Sequence, residues 1–123
     1  MTNYGICTNT LIAIRKEPSE QTEMVTQLLF GETYSIIETQ EKWVKITSLI
    51  DNYEGWIDAK LVTKVSETEV TSYNKNSSIT QTALSKLLDV QSKHFIPLVA
   101  GSIIPQLNAN NSFTINNCKY RCR

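Results

Sequence analysis

Apolar residues in the first half of the chain come in short runs separated by turn formers. Residues 10–15 carry Leu11, Ile12 and Ile14, a β-branched stretch that predicts a strand. Lys16-Glu17-Pro18-Ser19-Glu20 breaks it, since Pro18 cannot donate to a ladder. Residues 24–30 read as extended up to Gly31-Glu32. Residues 33–39 follow with Tyr34, Ile36 and Ile37, and Gln40-Glu41 turns the chain. Residues 43–49 alternate: Val44, Ile46 and Ser48 face one way, and Trp43, Lys45 and Thr47 the other. Asp51-Asn52 is a turn signal, and Gly55-Trp56-Ile57 returns as the partner strand. Asp58-Ala59-Lys60 reads as one helical turn before a last strand at Leu61-Val62. Short strands so closely spaced over roughly 60 residues predict an all-β fold closed into a small barrel, because closure removes exposed edges.

The pattern then changes. Residues 66–82 are rich in Ser, Thr, Asn, Glu and Lys, with Tyr73 the sole aromatic, and predict a polar linker. Ile79, Ala83, Leu84, Leu87 and Leu88 fall near helical spacing and predict a short helix. Residues 95–99 and 113–115 read as strands, with a turn at 108–111. Two or three strands cannot close a second barrel. Three parts result: a barrel at 3–65, the linker at 66–82 and a partial second segment at 83–123. Either the natural protein is longer, or the tail packs on the barrel. The composition shift at Ser66 predicts that residues 4–64 fold without the tail.

Composition narrows the function. With 41% hydrophobic and 20% charged residues, the chain has material for a packed core. Twelve basic residues balance twelve acidic ones, so the field that drives nonspecific nucleic-acid binding is missing. The apolar runs fall far short of the ~20 residues of a membrane helix, and no membrane partner is expected. Residues 1–7 carry neither a basic n-region nor an apolar h-region, and the cysteine count of three is odd. Both favour a reducing, cytoplasmic setting.

Chemistry-bearing residues are few. Cys7, Cys118, Cys122 and His94 could together supply four zinc ligands, but their spacing shows no paired knuckles, and no metal or cofactor is expected. Cys118 and Cys122 lie among Lys119, Arg121 and Arg123, charges that favour thiolates. A catalytic cysteine also needs an ordered histidine, and His94 reads as a surface residue at a strand start. No catalytic residue is assigned. A self-contained hydrolase using Cys118 or Cys122 with His94 stands as a rival.

The layout of strand, irregular loop, two strands, hairpin, helical turn and last strand is that of a Src-homology-3 barrel. Four motifs make the likeness specific: Tyr4-Gly5-Ile6-Cys7, Arg15-Lys16-Glu17-Pro18-Ser19, the run from Thr22 to Glu32, and Asp51-Asn52-Tyr53-Glu54-Gly55-Trp56-Ile57-Asp58. Together they resemble the N-terminal bacterial SH3 (SH3b) domain of NlpC-family cysteine peptidases. A fainter likeness to the start of a second SH3b domain spans 94–105. Members of that family cut cell-wall peptides between D-glutamate and the diamino acid, using a separate papain-like domain. The resemblance implies a non-catalytic recognition module. Its partners would be the catalytic domain of the same or a longer protein and a wall peptide with a free L-Ala amino end. By motif position Glu23 and Tyr53 would hold that ammonium, Glu23 through a charge-assisted bond and Tyr53 through its phenol. The remaining rival is a general SH3-like adaptor binding proline-rich peptides on an aromatic groove. Tyr4, Tyr34, Trp43, Tyr53 and Trp56 are its candidates, some of which must fill the core.

Overall fold

The computed structural model describes residues 3–19, 21–75, 77–79, 86–99, 102–105, 112–115 and 118–122. The first half builds strands β1 (Asn3–Ile6), β2 (Leu11–Arg15), β3 (Met24–Leu29), β4 (Thr33–Thr39), β5 (Trp43–Ser48), β6 (Glu54–Asp58) and β7 (Lys64–Val65). They form one seven-stranded antiparallel sheet in the order β3-β2-β6-β5-β4-β1-β7. The period of two decides which side is buried. Ile12 and Ile14, Leu28, Tyr34, Val44 and Ile46, and Ile57 all enter one core cluster with Cys7. The sheet therefore wraps its own interior, as an SH3-like fold requires.

β1 was not expected as a strand, and it pairs with β7 through Tyr4 opposite Val65 and Gly5 opposite Lys64. Leu61-Val62 is not the final strand. Ala59–Leu61 is a single 3-10 turn with Val62 as its cap, and pairing resumes at Lys64. Asp58 starts that turn, its carboxylate accepting the Lys60 N–H at 2.9 Å.

The second half corrects two expectations. Glu67–Lys75, inside the expected polar linker, is a helix, α1. Ser66 and Glu69 cap it reciprocally: the Glu69 N–H bonds the Ser66 hydroxyl at 3.1 Å, and the Ser66 N–H bonds the Glu69 carboxylate at 3.0 Å. Val70 and Tyr73, three residues apart on one face, are buried. The expected helix around 79–88 is also replaced. Ser77–Ile79 is strand β8 and Lys86–Asp89 is strand β9, while Ala83 and Leu84 lie outside the described residues. The pairing of Leu87 and Leu88 with Ile96 and Phe95 outweighs the helical spacing. The expected turn at 108–111 also lies outside the described residues.

Strands β10 (His94–Pro97), β11 (Ile103–Pro105), β12 (Ser112–Ile115) and β13 (Cys118–Cys122) complete the tail. One sheet runs β10-β9-β13-β12, and a two-stranded sheet pairs β11 with β8. A second core cluster joins the halves: Ile6, Phe30 and Val65 pack with Val70, Tyr73, Leu87, Leu98, Ile104, Phe113, Ile115 and Tyr120. Phe30 meets Phe113 and Tyr120 edge-on, with ring centroids 6.0 and 5.7 Å apart. Gly31 makes this approach feasible. Its φ of +84° is costly for any other residue, and a Cβ there would strike the Ile103 carbonyl. Beside it the Ile103 N–H donates to the Phe30 carbonyl at 2.7 Å.

Candidate functional site

Strand order brings Glu23 and Tyr53 to one corner. β2 lies between β3 and β6, and Arg15 at its end pairs with Met24 on one side and Trp56 on the other. The end of β2, the start of β3 and the start of β6 therefore meet, although their residues are far apart in sequence.

Local bonding fixes both approaches. The 16–23 loop is closed at its neck by the Lys16 N–H donating to the Glu23 carbonyl at 3.0 Å. The Arg15 guanidinium donates to the Thr22 carbonyl at 3.2 Å, and the Thr22 hydroxyl lies 2.9 Å from the Ser19 carbonyl and 3.1 Å from that of Glu17. On the other side Asn52 takes φ of 56°, a left-handed position that Asn tolerates. The Ser48 N–H donates to the Tyr53 carbonyl at 2.8 Å, and the Asp51 carboxylate lies 3.4 Å from the Tyr53 nitrogen. Tyr53 is thereby presented at the hairpin tip with 44% of its surface exposed.

Glu23 and Tyr53 line one hollow of about 460 Å³, with Lys16, Met24, Val25 and Glu54 as the other walls. The wall is mixed: two carboxylates, one ammonium, a phenol and two apolar side chains. Glu54 is already paired, with Lys45 at 3.0 Å, and the same Lys45 ammonium sits 5.9 Å from the centre of the Trp56 ring. Among the described residues, neither Lys16 nor Glu23 forms an ion pair. The hollow can thus hold a small polar ligand against opposite charges without dismantling an existing salt bridge. Lys16 and Glu54 were not singled out by sequence reasoning. For Glu54 the signal was adjacency to Tyr53; Lys16 stands seven positions from Glu23, and strand pairing alone brings it to the hollow.

A larger hollow of about 640 Å³ also borders the 16–23 loop, lined by Pro18, Ser19, Gln21, Glu41, Lys42, Trp43, Asp58, Ala59 and Lys60. Trp43 is half-buried there, whereas Trp56 and Tyr34 are core residues. Of the aromatic candidates for a peptide groove, Trp43 is the one this hollow contains.

The thiols are arranged differently. Cys7 is wholly buried, and burial raises its pKa from 9.0 to about 12, against a smaller lowering by the Asn9 backbone. A thiol held neutral in this way is a poor nucleophile. Cys118 packs half-buried against the shared core at the start of β13, while His94 is exposed at the start of β10, with β9 between the two strands. No hydrogen bond joins Cys118 to His94 among the described residues. The Cys122 side chain lies outside the described residues. Among the described residues, no three His, Cys, Asp or Glu side chains gather as metal ligands, and no helix is long and apolar enough to cross a membrane.

Residues 14–61 match the family model of the bacterial dipeptidyl-peptidase SH3 domain. Among solved structures, an NlpC/P60 family protein from Bacillus cereus matches 97% of the chain with a TM-score of 0.77 at 11% sequence identity. The chain spans 53% of that protein's length, and at such identity the likeness is one of fold. No curated protein matches the chain.

Proposed function

We propose that this chain, whose residues 14–61 form a bacterial SH3 domain of the dipeptidyl-peptidase type, is the non-catalytic module of a cell-wall-peptide cysteine endopeptidase. Its task is to help bind the free amino end of the substrate peptide and to sit beside the catalytic domain of the same or a longer protein. The carrying observation is that Glu23 and Tyr53 share one hollow with no salt bridge on Glu23 among the described residues. A carboxylate in that setting accepts from an ammonium, and the phenol supplies a second polar contact and an apolar wall. Selection of an unblocked L-Ala end points to wall fragments already released, and so to cytoplasmic recycling.

An exposed ion pair contributes little, so the chain alone binds at millimolar concentration. Amide shifts of the labelled chain, titrated with L-Ala-D-Gln and with its N-acetyl form, test the reading. The D-Gln side-chain amide stands for the bond to the diamino acid. Free peptide should move amides around the hollow, and Glu23→Gln should weaken it about two- to fivefold while leaving the acetylated form unchanged. Equal response to both peptides defeats the proposal. A second reading, a general protein-interaction adaptor, draws on the Trp43 hollow. It predicts shifts there instead, with proline-rich peptides.

A further inference from the structure

The charges around the Glu23 hollow do not cancel in the way their number suggests. Glu54, one of its two carboxylates, is matched by Lys45 at 3.0 Å. That leaves Lys16 and Glu23, one positive and one negative, without an ion pair among the described residues. They stand across the neck of one loop, tied by the backbone bond of 3.0 Å between them, and both residues line the same hollow. Lys16 and Glu23 are the residues just beyond the paired ends of β2 and β3, near enough for opposite charges to attract. Here they border a space of about 460 Å³ instead. Two charges of opposite sign held apart over a small hollow complement a ligand that carries the same two charges in reverse.

We propose that Lys16 is a second recognition residue, holding a carboxylate of the peptide while Glu23 holds its ammonium. The ligand class is then narrower than a peptide with a free amino end: a short zwitterionic peptide with an unblocked carboxylate one residue along. The inference rests on the reading of the hollow given above. In a peptide whose second residue continues through its side chain, the α-carboxylate of that residue stays free and lies near the amino end. Lys16 selects such a peptide over one whose carboxylate is amidated. An ammonium on a flexible stem suits this role, since it meets a carboxylate as a point charge and needs no fixed plane.

The full chain is titrated, by amide shifts, with L-Ala-D-Gln and with L-Ala-D-Gln-NH2, which differ only in the α-carboxylate. The wild type should prefer the carboxylate form about two- to fivefold. Lys16→Gln should abolish that preference, and Lys16→Arg should keep it. Lys16 is exposed, so spectra away from the hollow should stay unchanged and separate recognition from folding. A wild-type ratio near one, or a ratio that survives Lys16→Gln, overturns the role of Lys16. If N-acetylation still abolishes binding in that case, the ammonium site stands and Lys16 alone is wrong. If the acetylated peptide binds as well as the free one, or nothing binds, both are wrong.

Discussion

Cys7 and Tyr34 are sealed in the core of the first half, and both resist ionisation. Cys7 is raised to about 12, chiefly by burial, and burial raises Tyr34 well above 10.0. In the unfolded chain the thiol loses its proton from about pH 8.5. Between the two values the unfolded state binds fewer protons than the folded one, so stability falls as pH rises. Denaturant melts should show stability declining from about pH 9 to 12, with about 1.4 kcal/mol per pH unit attributable to Cys7. Cys7→Ala should flatten that slope by one proton. The Tyr34 hydroxyl approaches the Thr63 backbone closely enough to ease its shift, yet forms no well-shaped hydrogen bond. Geometry decides here, and Tyr34→Phe should therefore stabilise the fold by about 1 kcal/mol in a thermal melt. At this scale much was legible. The turn residues Asp51-Asn52 and the alternation in 43–49 placed Tyr53 on a hairpin, and Pro18 marked the loop ahead of Glu23. Lys16 was not legible as a wall of the hollow, because its placement depends on a strand pairing distant in sequence.

The elements of the first half follow from alternation, and those of the second half do not. Helix α1 went unseen because its apolar content is low, while its start signal, Ser66-Glu67-Thr68-Glu69, is a capping box. Ser66→Ala should cost about 0.5–2 kcal/mol by removing the acceptor for the Glu69 N–H. The same bonds hold the Glu69 carboxyl below its ordinary value, chiefly through the Ser66 backbone. That share of stability is present above the unfolded carboxylate pKa and is lost as pH falls through the depressed one. Measured stability of a Glu69→Gln variant should therefore differ less from the wild type at pH 2 than at pH 7, whereas Ser66→Ala keeps the backbone N–H and should cost about the same at both. Leu87 and Leu88 misled in the other direction: a short apolar run fits helix and buried strand equally, and only the partner strand decides.

The whole molecule is held together by a core that neither half owns. Ile6, Phe30 and Val65 belong to the SH3-like sheet, yet their packing partners are α1 and the tail strands. The division near residue 66 was visible as a change of texture, but the sequence pattern carried no sign of which barrel residues would face the tail. Residues 4–64 without the tail are expected to keep their sheet but to expose Phe30, whose burial is worth about 1.5–3 kcal/mol. A chain ending at Val65 should melt well below the full chain. Gly31→Ala tests the same junction within the intact chain. Its left-handed φ and the Ile103 carbonyl both oppose a Cβ, so a loss exceeding about 1–2 kcal/mol is expected. An unchanged melting temperature would mean that the tail does not dock through Gly31.

On the proposed function, the hollow between the 16–23 loop and the Tyr53 hairpin receives the amino end of a short peptide. A crystal structure of the chain grown with saturating L-Ala-D-Gln tests it most directly. The peptide ammonium should lie at charge-assisted bonding distance, about 2.7–2.9 Å, from the Glu23 carboxylate, with the Tyr53 phenol against it. Peptide seated beside Trp43, or turned with its ammonium away from Glu23, would contradict it.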